Sequence, residues 1–107
     1  MHKLVFFVPE AHLESVKTAV IKAGAGKIGA YEKCMWQNLG TAQYLPTEVA
    51  APYQVIQWKL ETAREFKVET IVEDDLLKGV FEALIEARPY EAAVYGAWKI
   101  LMIDDLK

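Results

Sequence analysis

An apolar run opens the chain. From His2 to Val8 the residues are β-rich, and the run ends at Val8-Pro9-Glu10, where proline suits a first helical turn and glutamate suits the positive end of its dipole. A helix is predicted from that point. Leu13, Val16, Ala19, Val20 and Ala23 recur at helical spacing with His12, Glu14, Lys17, Thr18 and Lys22 elsewhere, and Gly24 stands where a C-cap glycine belongs. Next, Gly24-Ala-Gly-Lys-Ile-Gly29 leads into Tyr31–Gln37, an aromatic and apolar stretch predicted as a strand. Asn38-Leu39-Gly40 reads as a tight turn, and Thr41 to Leu45 as a returning strand.

Between Pro46 and Lys59 the pattern is irregular. It resumes after Leu60, where Phe66, Val68 and Thr70 alternate with Lys67, Glu69 and Ile71, the signature of a long strand with one half-exposed face. Asp74 or Asp75 is predicted to cap a second helix. Leu77, Val80, Phe81, Leu84 and Ala87 line one side of it, and Pro89 ends it, because the residue before proline avoids the helical region. Tyr90 to Ile103 is predicted as the last strand, with Asp104 to Lys107 as a polar tail.

Sliding the chain by 64 residues matches Val8 with Val72, Leu13 with Leu77, Val16 with Val80, Ala19 with Ala83, Ala23 with Ala87 and Tyr31 with Tyr95. The two halves therefore read as one βαβ unit used twice. Two such units side by side give an α+β fold, a ferredoxin-like βαββαβ sandwich with an antiparallel sheet and two helices on one face. The other face of the sheet then becomes the place to look for function.

Length and composition narrow this further. The 107 residues make a single domain over positions 1–107, long enough to bury a core without disulfides or a structural metal. Apolar residues make up 53% and charged residues 25%, and no apolar run approaches the ~20 residues of a membrane span, so no membrane partner is expected. Pro9-Glu10 interrupts the first apolar run before it could serve as a signal peptide, and Cys34 has no second cysteine to pair with, which together point to the cytoplasm. A net charge of −3, with twelve scattered basic residues, argues against nucleic acid as a partner.

Several blocks carry a family resemblance: Lys3-Leu-Val-Phe-Phe-Val-Pro-Glu10, Ala23-Gly-Ala-Gly-Lys-Ile-Gly-Ala-Tyr-Glu-Lys-Cys34, Gly40-Thr41, Val68-Glu-Thr-Ile-Val72 and Pro89-Tyr90-Glu91. In order and spacing they resemble the inserted domain of YqfO-type (Nif-three-like) proteins. The resemblance implies a PII/CutA-like fold that forms homotrimers. It also implies that the larger domain with a dinuclear metal site, into which such inserts are placed, has no counterpart here, so a GTP cyclohydrolase activity is not carried over. Three positions depart from the family pattern. Arg88 stands where relatives have the histidine of His-Pro-Tyr-Glu-Glu, with Ala92 for its last glutamate, and Gly96 stands where relatives often have aspartate.

The residues themselves supply little catalytic chemistry. A metal site needs converging Cys, His or carboxylate ligands, and the candidates are His12, Cys34 and Glu91, with His2 at the chain end, without HxxxH or CxxC spacing. CutA proteins, which share a Pro-Tyr-Glu segment, are associated with divalent copper. Cys34 as a nucleophile would need a neighbouring base that the sequence does not indicate. Gly24, Gly26 and Gly29 follow a helix where a phosphate loop would precede one, so they read as a C-cap and tight turn. Asp74-Asp75 and Asp104-Asp105 read as a helix cap and a solvated tail.

The remaining set is Tyr31, Trp36, Tyr44, Glu69, Tyr90 and Glu91, together with Tyr95. In PII-like trimers small ligands bind in clefts between subunits below a long loop, which here would be about 47–59. Interface contacts account for the same residues, since aromatics are enriched in interface cores. The expected function is a non-catalytic regulatory or ligand-sensing homotrimer, with a small-molecule ligand or protein partner and no cofactor. The alternatives are a CutA-like divalent metal-binding protein and a structural oligomerisation module.

Overall fold

The computed structural model describes residues 1–47, 58–89 and 94–106. The chain runs β1 (His2–Pro9), α1 (Leu13–Lys22), β2 (Met35–Tyr44), β3 (Glu61–Val72), α2 (Leu77–Ala87) and β4 (Tyr95–Lys99). Short 3-10 turns at Glu10–His12 and Asp74–Leu76 lead into the two helices. All strand pairs are antiparallel, in the order β2-β3-β1-β4. This is the ferredoxin-like βαββαβ arrangement.

The alternation in β1 decides where the core lies. Leu4, Phe6 and Val8 are buried and meet Val68 and Val72 of β3. Leu13, Val16 and Val20 of α1 and Val80 and Leu84 of α2 close over them, with Leu77, Phe81 and Ala87 packed alongside. Each fully buried Leu, Val or Phe contributes about 1.5–3 kcal/mol by leaving water. Period-two strands and 3.6-period helices thus bury the residues their spacing predicts.

The 64-residue repeat holds for the first half of each unit. The turn at Glu10–His12 and helix Leu13–Lys22 map onto Asp74–Leu76 and the first ten residues of Leu77–Ala87. It fails for the strand that follows. Tyr95 begins β4, whereas Tyr31 precedes β2 and forms an isolated bridge with Ile28.

Three other expectations are corrected. Asn38-Leu39-Gly40 is not a turn: β2 runs straight through it, with Asn38 opposite Lys67 and Gly40 opposite Glu65. The long β3 strand offers a continuous ladder, and pairing along it outweighs the local turn preference of three residues. Neither Asp74 nor Asp75 caps α2 with its side chain. Asp74 instead binds the Met1 ammonium, His2 Nδ1 at 2.8 Å and Lys99 Nζ at 3.5 Å, fastening the start of β1 to β4. The bond from the ammonium, helped by His2 and Lys99, holds its carboxyl down to about 2. Among the described residues the last strand spans Tyr95–Lys99; its predicted start at 90–93 lies outside them, and Ile103–Asp105 forms a 3-10 turn instead of extending it. β4 pairs with β1 from His2 to Phe6, and past Lys99 the Ile100 N–H still donates to the Met1 carbonyl at 3.0 Å, the chain start beyond which β1 has no further residue to pair.

Helix ends follow the sequence more closely. Gly24 adopts φ +121°, and a Cβ there would lie 2.8 Å from Leu76 Cδ1. Gly79 faces open space in α2, with nothing within 4 Å of an added Cβ. Gly79→Ala is therefore expected to raise stability by about 0.5–1 kcal/mol through helix propensity, while Gly24→Val lowers it. Thermal melts of both variants check this order, and a destabilised Gly79→Ala would contradict the open surface of α2.

Candidate functional site

The face of the sheet opposite the helices collects the odd-numbered residues of β1 and β3 and the even-numbered residues of β2 and β4. Trp36 lies directly across from Glu69, and Glu69 across from Val5. One step along, Lys3 lies across from Ile71 on one side and Trp98 on the other. The Lys3 ammonium reaches diagonally to Glu69, with Nζ to Oε1 at 3.0 Å, and sits 5.9 Å from the centre of the Trp98 ring. A Lys–Glu pair is thereby set between two indoles. Hydrogen bonding from Lys3, with the charge of Lys67 adding to it, holds the Glu69 carboxyl below the ordinary carboxylate range. The Trp36 Nε1–H donates to Asn38 Oδ1 at 2.8 Å, which leaves the indole to offer its ring surface.

Beside this pair lies a cleft of about 450 Å³ lined by Lys3, Ile28, Cys34, Met35, Trp36, Glu69, Thr70 and Ile71. Ile28 reaches its lining from the glycine-rich segment after α1. Gly26 N–H donates to the Ile71 carbonyl at 2.9 Å, and Gly26 accepts from Cys34 N–H at 2.9 Å. The Thr70 hydroxyl donates to the Cys34 carbonyl at 2.7 Å. Gly26 has φ +90°, and any Cβ on it would meet Cys34 N at 2.9 Å. Gly26 thus brings two chain segments together more closely than a turn alone requires. A second cavity of about 300 Å³ runs along Phe7, residues 38–42, Glu65 and Lys67, and burial pushes the Glu65 carboxyl upward.

The fold brings Trp36, Glu69 and Cys34 together in the first cleft. Tyr31 is bridged to Ile28, which lines the cleft, but its own ring is 73% exposed. Tyr44 ends β2 opposite Glu61, eight residues beyond Trp36 and roughly 27 Å away along the strand. It does not join the others. Tyr90, Glu91 and most of the 47–59 loop lie outside the described residues. His12 closes the 3-10 turn before α1 and is not among the cleft residues, and no group of three or more His, Cys, Asp or Glu converges among the described residues. Sequence reasoning missed Lys3. The continuous apolar run from Leu4 to Val8 does not mark it: burial of Leu4 and Phe6 places Lys3 on the opposite face, and strand register sets it beside Glu69.

No family model matches the chain. A GTP cyclohydrolase 1 type 2 homologue of Halalkalibacterium halodurans is 38% identical over 100 residues, covering 94% of this chain and 27% of that protein. That of Bacillus subtilis is 32% identical over the same share of each. A Bacillus cereus protein related to NIF3 superposes with TM-score 0.78 at 36% identity, over 91% of this chain and 24% of its own. The chain is homologous to one segment of these proteins. It spans about a quarter of the length of these GTP cyclohydrolase 1 type 2 homologues. Fold likeness extends further. CutA1 from Pyrococcus horikoshii gives TM-score 0.70 at 17% identity, over 99% of this chain and 91% of its own. Bacillus subtilis GlnK gives 0.60 at 14%, over 92% and 83%. The CutA/PII-like fold is thus established. None of the helices among the described residues is long and apolar enough to cross a membrane.

Proposed function

We propose that the chain is a non-catalytic regulatory or ligand-sensing module that works as a homotrimer in the cytoplasm. The observation that carries this reading is the face of the sheet without helices. Trp36 is 66% exposed, Trp98 48% and Phe7 38%, grouped around the paired Lys3 and Glu69. Apolar surface of this kind is disfavoured on an isolated small domain and is characteristic of subunit interfaces, where tryptophan is enriched. The number three comes from the resemblance to PII/CutA-like modules, and likeness of fold to CutA1 and GlnK supports it. The cleft beside the face supplies a place for a ligand, with Tyr90, Glu91 and the 47–59 loop proposed as further contributors. The metal-binding alternative has Cys34 at the cleft, but His12 is not among the residues that line it.

Light scattering at micromolar concentration is expected to return three times the 12.1 kDa protomer mass. Trp98→Glu, which places a carboxylate on the apolar face, is expected to shift the protein to monomer with its helical circular dichroism intact. A stable wild-type monomer would overturn the assembly.

A further inference from the structure

We propose that the cleft beside β2 binds a small zwitterion of the free amino-acid class, with its carboxylate on Lys3, its ammonium on Glu69 and an apolar or aromatic group against Trp36. The proposal rests on the ligand-sensing reading above and specifies the chemistry of that site. Among the described residues, the lining holds one cation and one anion, and they lie 3.0 Å apart. The ammonium and carboxylate of an α-amino acid are joined through one carbon and sit about 3 Å apart. Laid head to tail against Lys3 and Glu69, they close a ring of four alternating charges.

An ammonium has three donor hydrogens and a carboxylate about four acceptor positions, so one bond between Lys3 and Glu69 leaves both able to bind more. The lining is electrically balanced. A phosphorylated ligand would need several cations or a free helix N-terminus, and here the single cation is already matched by a carboxylate. A metal ion would find Cys34 and Glu69 but not the three or four ligands that such sites use. The apolar part of the ligand is accommodated by the Trp36 ring, whose N–H is occupied by Asn38, and by Ile28 and Ile71. The volume of about 450 Å³ falls within the roughly 300–1,000 Å³ typical of small-molecule sites.

The test uses the full chain and L-phenylalanine as probe, with isothermal titration and thermal shift as readouts. Phenylacetate and phenethylamine carry each charge alone, and ATP serves as a polyanion. L-phenylalanine is expected to bind at least tenfold more tightly than either single-charge analogue. Lys3→Met and Glu69→Gln are each expected to weaken it at least tenfold. The double variant Lys3→Glu/Glu69→Lys, which keeps a balanced pair with its sense reversed, is expected to recover binding, so a loss in the single variants that comes from misfolding is recognised. Phenylacetate binding as tightly as L-phenylalanine, or binding that survives Glu69→Gln, would overturn the proposal. Stabilisation by ATP without L-phenylalanine would overturn the zwitterion class and leave ligand sensing standing. Stabilisation by none of the four probes, in a protein of confirmed trimeric mass, would overturn the zwitterion proposal and count against a sensing role for this cleft.

Discussion

Gly26→Ala is expected to lower the thermal midpoint by roughly 10–20 °C, equivalent to about 2–4 kcal/mol for a domain of this size. Three costs add at this position. The backbone holds φ +90°, which an L-residue with a Cβ adopts only with strain. The added Cβ would stand 2.9 Å from the amide nitrogen of Cys34, a backbone atom that cannot turn aside as a side chain can. Relieving that clash pulls apart the bonds from Gly26 to Ile71 and from Cys34 to Gly26, both 2.9 Å long, which hold the glycine-rich segment to the sheet. Gly29→Ala is the control. It also has a positive φ, +55°, but nothing lies within 4 Å of its Cβ, so only the left-handed conformation costs, about 1 kcal/mol. Differential scanning calorimetry of the two variants checks the comparison. Equal losses would mean that the close approach of Gly26 to Cys34 is absent in solution.

Phe6→Ala is expected to cost about 3–5 kcal/mol, a large part of the 5–15 kcal/mol that holds a typical domain together. Phe6 is 1% exposed, paired with Val68 on one side and Tyr95 on the other, under both helices. Removing its ring forfeits the transfer energy and leaves a cavity that the flanking strands cannot close. Its neighbour Phe7 points the other way and is 38% exposed, so Phe7→Ala should cost under about 1 kcal/mol in the monomer. Urea titrations in the Trp98→Glu background, where assembly does not add to stability, compare the two. A similar fall in midpoint for both would mean that the register of β1 is shifted by one residue, since such a slip exchanges the faces.

The candidate site was legible in proportion to how local its signals are. Trp36 and Glu69 stood out as an aromatic and a carboxylate on predicted strands, and the structure makes them direct cross-strand partners. Tyr44 carried the same kind of signal yet ends at the far tip of β2, because the strand continues through Asn38–Gly40 where local preference favoured a turn. That error also hid how far apart the two ends of β2 lie. Asp74 reads as a cap because acidic residues before helices usually are, while the Met1 ammonium, His2 and Lys99 claim its side chain. Such partners are 72 or 73 residues away, or 25 in the case of Lys99, and no sequence window contains them.

Periodicity alone determined the two helices, their buried sides, the inward face of β3, and the βαββαβ order, because burial selects residues at spacings that the backbone geometry imposes on each element separately; the apolar run of β1 left its inward face open. Gly24 was equally readable, since a helix end in the left-handed region needs glycine whatever lies around it. Only the tertiary structure decided that Lys3 meets Glu69, that two tryptophans flank them, and that Gly26 comes up against Cys34. Those relations depend on the register between strands distant in sequence, and a shift of one residue would turn each of them to the opposite face while leaving the pattern within each strand unchanged.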